Sequence, residues 1–237
     1  MSEAEIGARL ECLKEKVAAA ARRAGRDPSA VSVVAVSKTV DVEQIRDAIA
    51  AGIEHVGENR IQEASEKFER IGKAPCGKAV TWHMVGHLQT NKVRRALEIF
   101  DVIQSVDSMK LARALDERAR DVHRTVDALV EVNTSGEVTK YGFVPGEVCE
   151  ALKQICVLQN LRIKGLMTVG PLVDEPEEAR GAFALLRELR DEASALRLPN
   201  VEMEVLSMGM TGDFEVAIEE GATMIRVGTA IFGARGR

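Results

Sequence analysis

The sequence predicts an α/β protein: a single (β/α)8 barrel preceded by one extra helix. Three observations predict it. Eight short apolar runs alternate with stretches of helical periodicity. The core those runs would build is aliphatic, because apolar residues make up 46 % of the chain and aromatic residues only 3 %. Glycines, hydroxyls and charges gather after the runs rather than before them, as they do at the C-terminal mouth of such a barrel. Eight strands joined by helical crossovers within about 200 residues argue for closure. An open doubly wound sheet is the alternative arrangement of the same alternation.

The elements follow in order. Ile6, Leu10, Leu13 and Val17 recur at spacings of four, three and four, which puts them on one face of a helix over Glu3–Arg23. Gly25 and Pro28 break it. The first run, Val31–Ser37, leads into "VEQIRDAIAAG", and the second, Ile53–Gly57, into "NRIQEASEKFERI". Val80–Val85 precedes "NKVRRALEIF", and Val102–Val106 precedes "SMKLARALDERARDV". Val126–Asn133 is followed by "PGEVCEALKQI", and Arg162–Val169 by "EPEEARGAFALLRELRDEASAL". Glu202–Ser207 leads into "FEVAIEEG", and Met224–Gly228 into "AIFG". Valines and isoleucines of these runs are expected to fill the barrel. No linker, low-complexity stretch or repeat divides the chain, so residues 1–237 read as one domain.

Composition narrows the function classes. The net charge of −5 gives no electrostatic reason for nucleic acid as a partner. One Trp, one Tyr and six Phe are also few for base stacking. The N-terminus holds no continuous apolar stretch, so it reads as neither signal peptide nor membrane span, and the chain as cytoplasmic. Cys12, Cys76, Cys149 and Cys156 show no CxxC pair or metal-ligand spacing, and read as reduced, apolar filler.

One lysine, Lys38, closes the first run. A lysine there either snorkels to water or, partly desolvated, serves as a Schiff-base amine. Strand seven ends in Ser207-Met208-Gly209-Met210-Thr211-Gly212-Asp213, and strand eight in Arg226-Val227-Gly228-Thr229. Such loops either make turns and N-caps, with Thr211 or Asp213 as caps, or let backbone N–H groups and hydroxyls hold phosphate. A lysine after strand one with phosphate loops after strands seven and eight describes an aldehyde that carries a phosphate, pyridoxal 5′-phosphate (PLP). His83 and His87 are four apart, but Gly86 and the preceding strand argue against a helical zinc pair. Asn59 could cap the next helix. Lys140 is a loop lysine that stays open as a second amine for PLP.

Nearly the whole chain resembles the pyridoxal phosphate homeostasis protein family, whose barrel is similar to the N-terminal domain of alanine racemase. The resemblance is carried by "AVSKT", "GENR", "WHMVGHLQTNK", "QSVDS", "VNTSGEVTKYGF", "GLMTVGP" and "LSMGMTGDFEVAI", with "IRVGTAIFG" at the end. Thr211 departs from the serine more usual there. The resemblance implies that Lys38 forms the internal aldimine and that Ser207, Gly228 and Thr229 bind the phosphate. It places Arg226 opposite the pyridine nitrogen, and Asn59 and His83 near the ring or its substituents. It implies a PLP carrier that buffers the cofactor or delivers it to apo-PLP enzymes, and the lack of room for a second domain makes a monomer the expectation. The alternatives are a PLP enzyme such as an amino-acid racemase, or a cofactor-free Schiff-base aldolase. The chain ends soon after strand eight, which argues against the second domain a racemase uses.

Overall fold

The computed structural model describes residues 2–233. Met1, residues 234–237 and the Cys76 side chain lie outside the described set, so the reading of Cys76 as apolar filler falls there. Ser2 caps the first helix, α1 (Glu3–Arg23), in a reciprocal box: its hydroxyl accepts the Glu5 N–H, and the Glu5 carboxylate accepts the Ser2 N–H at 2.7 Å. The helix buries the predicted face, Ile6, Leu10, Leu13 and Val17, together with Ala20 and Ala21.

Strands and helices then alternate: β1 (Ser32–Val36), α2 (Val42–Ala50), β2 (His55–Glu58), α3 (Ile61–Ile71), β3 (Thr81–Met84), α4 (Val93–Ile99), β4 (Val102–Val106) and α5 (Met109–Asp121). The second half holds β5 (Val126–Glu131), α6 (Val148–Ile155), β6 (Leu161–Met167), α7 (Arg180–Ala195), β7 (Val201–Ser207), α8 (Phe214–Glu219), β8 (Met224–Val227) and α9 (Thr229–Phe232). The strands pair in parallel in chain order, and β8 returns to β1 with Ser32 beside Met224 and Ala35 beside Val227. The sheet is a closed barrel, and the open alternative is excluded.

Helix α1 and strand β4 have the bounds the sequence predicts. Other strand ends differ for local reasons. Ile53 donates its N–H to the Ala48 carbonyl and so finishes α2 instead of starting β2. Strand β5 stops at Glu131 because the chain folds back: the Phe143 N–H binds the Glu131 carbonyl, and the Asn133 N–H binds Phe143.

Within the described residues α9 is only four residues long, and α1 packs on α2, α8 and α9, covering the seam between β8 and β1. The extra N-terminal helix thereby completes the outer ring.

The interior departs from the expected filling of valines and isoleucines. Gln104 on β4 bonds to Ser207 on β7, and these strands are not neighbours in the barrel, so the bond crosses the interior. Arg226, Ser207, Gln104 and His83 are all buried. Their strand neighbours Ile103, Leu206 and Ile225 point the other way by the period of two, and pack fully buried under the helices.

Backbone contact between β6 and β7 is close at Gly165, where a Cβ would lie 1.8 Å from the Val205 carbonyl oxygen. Backbone cannot give way as a side-chain tip can. Gly165→Ala is therefore expected to lose more than about 2 kcal/mol in urea unfolding, the upper range for overpacking. Gly181→Ala, on α7 with nothing within 4 Å of the new methyl, should instead gain about 0.5–1 kcal/mol.

Candidate functional site

A cavity of about 990 Å³ opens at the C-terminal ends of the strands. Lys38 reaches it from the turn after β1, Asn59 from the end of β2, and Arg226, Gly228 and Thr229 from β8 and the start of α9. Met210, Thr211 and Gly212 border it from the loop after β7, and Arg9 from α1. Five of the seven predicted site residues thus line one space. His83 and Ser207 do not; they are sunk in the barrel beneath it.

Each lining residue has a local cause. Lys38 is half-buried, between Ser37, which is fully buried, and Thr39, which turns the chain with φ at 63°. Asn59 does not cap α3, since Arg60 holds that position. Its Oδ1 is instead buried without a partner. Gly86 presses on its backbone so closely that a Cβ would stand 2.6 Å from the Asn59 carbonyl oxygen. Asp213 sits at the N-cap of α8, but its carboxylate takes the Met210 N–H at 2.5 Å and closes the loop. Burial raises that carboxyl, while the Met210 N–H and Arg226 pull it down in part. Gly228 caps α9 and Thr229 is its first residue, so N–H groups at that end have no acceptor within the helix.

Below the cavity runs a line of hydrogen bonds with one direction. Arg226 can only donate. It gives one N–H to the Thr168 carbonyl and one to Ser207 Oγ, both at 2.7 Å. Ser207 therefore sends its own proton to Gln104 Oε1, at 2.6 Å. Gln104 Nε2 then donates to His83 Nδ1 at 2.9 Å, which must be bare. The His83 proton sits on Nε2 and goes to His55 Nδ1, 3.0 Å away. Protonating His83 would set N–H against N–H, and burial, with a smaller push from His55, lowers its pKa to about 3. Ser207 and His83 are thus props of Arg226 within the barrel. Ser207 thereby reaches the cavity wall through Arg226, which borders it.

Arg226 is itself pulled down to about 10 by burial, with Glu131 and Asp213 opposing. It remains a cation at neutral pH. Glu131, at the end of β5, is pushed up to about 7, by burial first and by Asp107 second, against the pull of Arg226. His87 does not pair with His83. It bonds Asp107 at 2.6 Å and stacks on Tyr141 with ring centroids 3.8 Å apart. Lys140 is not among the lining residues; its ammonium ties the Gly170 carbonyl, at 2.8 Å, to Glu137. Sequence reasoning passed over Gln104 and Glu131. Both carried a signal, a polar side chain inside or closing an otherwise apolar run.

Comparison with known proteins fits this geometry. The family model described as "Alanine racemase, N-terminal domain" matches residues 9–236. The "Pyridoxal phosphate homeostasis protein" of Aquifex aeolicus is 42 % identical over 227 residues, covering 96 % of this chain and 97 % of that one. The chain belongs to the pyridoxal phosphate homeostasis protein family. Solved structures agree on the barrel of this family. An unknown protein from Bifidobacterium adolescentis has a TM-score of 0.90 at 38 % identity, with 97 % of this chain and 95 % of that chain covered. PipY of Synechococcus elongatus, solved with PLP bound, has a TM-score of 0.81 at 38 % identity, with 96 % and 100 % covered.

Glu131 makes a pH prediction. A carboxyl raised in the folded state holds a proton over a range where the unfolded chain has lost it. Its stabilisation is complete below the unfolded pKa and is lost as the pH rises through 7. Wild type should therefore lose about 3 kcal/mol relative to Glu131→Gln between pH 4.5 and 8, read from urea unfolding of both proteins. Parallel stability curves would overturn the assignment.

Proposed function

We propose that this chain binds PLP in the cavity at the barrel mouth, with Lys38 as the amine that captures it, and holds the cofactor for use elsewhere. One observation carries the reading: a half-buried lysine shares a cavity wall with Arg226, Asn59 and the Gly228–Thr229 helix start. When bound, PLP supplies an aldehyde that condenses reversibly with a primary amine.

The residues fit the group. The Thr229 hydroxyl and the N–H groups at Gly228 and Thr229 suit a phosphate. Arg226 spends two of its five N–H groups on Ser207 and Thr168 and borders the cavity, where a ring nitrogen would accept from one that remains. The unpartnered Asn59 Oδ1 would accept from a ring hydroxyl. A donor at the ring nitrogen keeps that nitrogen unprotonated, which makes a poor sink for electrons. A catalyst with such an arginine would depend on positioned bases flanking the substrate.

In its fullest form the reading is a monomeric cytoplasmic carrier that serves PLP homeostasis and loads apo-PLP enzymes, with residues 1–237 acting as one PLP-binding unit. Met1 and residues 234–237 of that unit lie outside the described residues. No helix among the described residues is long and apolar enough to cross a membrane. A second reading, a PLP enzyme acting on amino acids, draws on Glu131. A buried carboxyl that titrates near 7 is the kind of group acid–base catalysis uses.

The test begins with borohydride reduction of the protein mixed with PLP, followed by peptide mapping. Label on Lys38 is expected, and Lys38→Ala should stay folded yet lose most of the absorbance of bound PLP. Label on Lys140 alone would overturn the assignment. Pyridoxal without phosphate should bind roughly ten- to hundred-fold more weakly, since each lost charged hydrogen bond costs about 1.5–3 kcal/mol. Turnover of L-amino acids at about 1 per second or faster, by chiral and keto-acid analysis, would favour the enzyme.

A further inference from the structure

A second lysine stands behind the first. Lys67 on α3 looks like a surface residue of an amphipathic helix, yet it is buried, 7 % exposed. Its ammonium has three protons and three acceptors: the Ser37 carbonyl at 2.5 Å, Glu63 Oε1 at 2.6 Å and Glu58 Oε1 at 2.7 Å. Glu58 also accepts the Ser37 hydroxyl at 2.6 Å, and Glu63 accepts the Thr39 N–H. The peptides on both sides of Lys38 therefore lead to one ammonium. Lys67 is absent from the cavity lining, so it acts on Lys38 through the backbone and not by touching what the cavity holds. The turn needs such a hold, because Thr39 is β-branched and sits in the left-handed region, with φ at 63°.

We propose that Lys67 is a positioning residue: through Ser37 and Thr39 it fixes the stance of Lys38 and so sets how fast that amine captures PLP. This rests on the reading of Lys38 as the PLP amine. A purely structural role for the network makes a different prediction, and the two separate in a charge-neutral double variant.

Lys67→Met alone strands the Glu58 carboxylate in the interior and should destabilise the fold. Lys67→Met/Glu58→Met removes both charges, and a packed apolar pair of this kind commonly restores stability. The double variant is expected to match wild type in urea unfolding. Its capture of PLP, followed by stopped-flow absorbance, should be about ten-fold slower, the scale of a small misplacement of a reacting group. Glu63→Ala, at a part-exposed position, cuts the Thr39 tie and one of the three Lys67 bonds while leaving the Glu58 pair, and should slow capture by about three-fold. Wild-type capture rates in either folded variant overturn the proposal. Borohydride mapping of wild type runs alongside: if Lys38 is not labelled, the reading beneath fails too, whereas label on Lys38 with unchanged variant rates sinks the positioning role alone.

Discussion

A guanidinium that can only donate, enclosed by eight strands, constrains the interior of this barrel. Arg226 has lost its water, so its protons must find oxygens that the barrel supplies. The Thr168 carbonyl and the Ser207 hydroxyl answer that need. Once Ser207 accepts, Gln104 must turn its oxygen toward it, His83 must offer a bare Nδ1, and His55 must accept in turn. The residues that would have formed a layer of branched aliphatics are polar because one cation fixes them. Burial raises the carboxyls whose fields it feels, Glu131 and Asp213, against its pull. No ion pair neutralises Arg226 within the barrel among the described residues.

Around the mouth the same logic recurs on the outer face of the sheet. There the cation is Lys67 and the acceptors are two carboxylates and one carbonyl. Burial raises Glu58, with Lys67 and Ser37 drawing it back only in part. Glu63 feels less burial, and Lys67 and the Thr39 N–H bring it below the usual carboxylate range. Two buried cations therefore bracket the end of β1: one inside at the floor of the cavity, one outside behind the turn. Lys38 lies between them, half-buried. Neither cation is interchangeable with an apolar residue alone, because each is the shared partner of several groups that would be orphaned together.

How much of this was legible in the sequence follows from what a period can report. The period of 3.6 and the break at Gly25 and Pro28 fix α1, and the run Val102–Val106 fixes β4. Eight alternations fix the barrel. Strand ends were less legible where a loop folds back on its own strand, as Phe143 does on Glu131. At the cavity, Lys38, Gly228 and Thr229 were legible because strand ends converge at the mouth, whereas Asn59 and Arg226 were named by the resemblance. His83 was named from the resemblance, and Ser207 from the resemblance and the loop chemistry after β7; their burial was not legible, because a period of two gives the face a residue points to but not its depth. Depth depends on the tilt and stagger of the strands, which no single run encodes. Lys67 was hidden for a related reason. Its helix shows a charged face, and only the docking of α3 on β2 reveals that one of those charges is turned inward.

Depth also bears on what separates a carrier from a catalyst. A reversible link between an amine and an aldehyde breaks by taking up water, so a lysine that must release its cargo needs solvent within reach. On the proposed reading, half-burial at an open mouth would give Lys38 that access, while full burial would trap the cargo. A catalyst needs more: groups that move protons on both faces of a substrate, with water excluded. Among the described residues near Arg226, Glu131 is a carboxyl that can exchange a proton near neutral pH, but it stands at the end of β5, while Lys38 is at the end of β1. His83, the other acid–base residue type beneath the cavity, is locked neutral by the direction of its hydrogen bonds. On the carrier reading these features belong together. The donor-only cation orders the interior, burial keeps the His83 imidazole on its hydrogen-bond line neutral, and the proposed role of holding an aldehyde asks for no more acid–base chemistry than that.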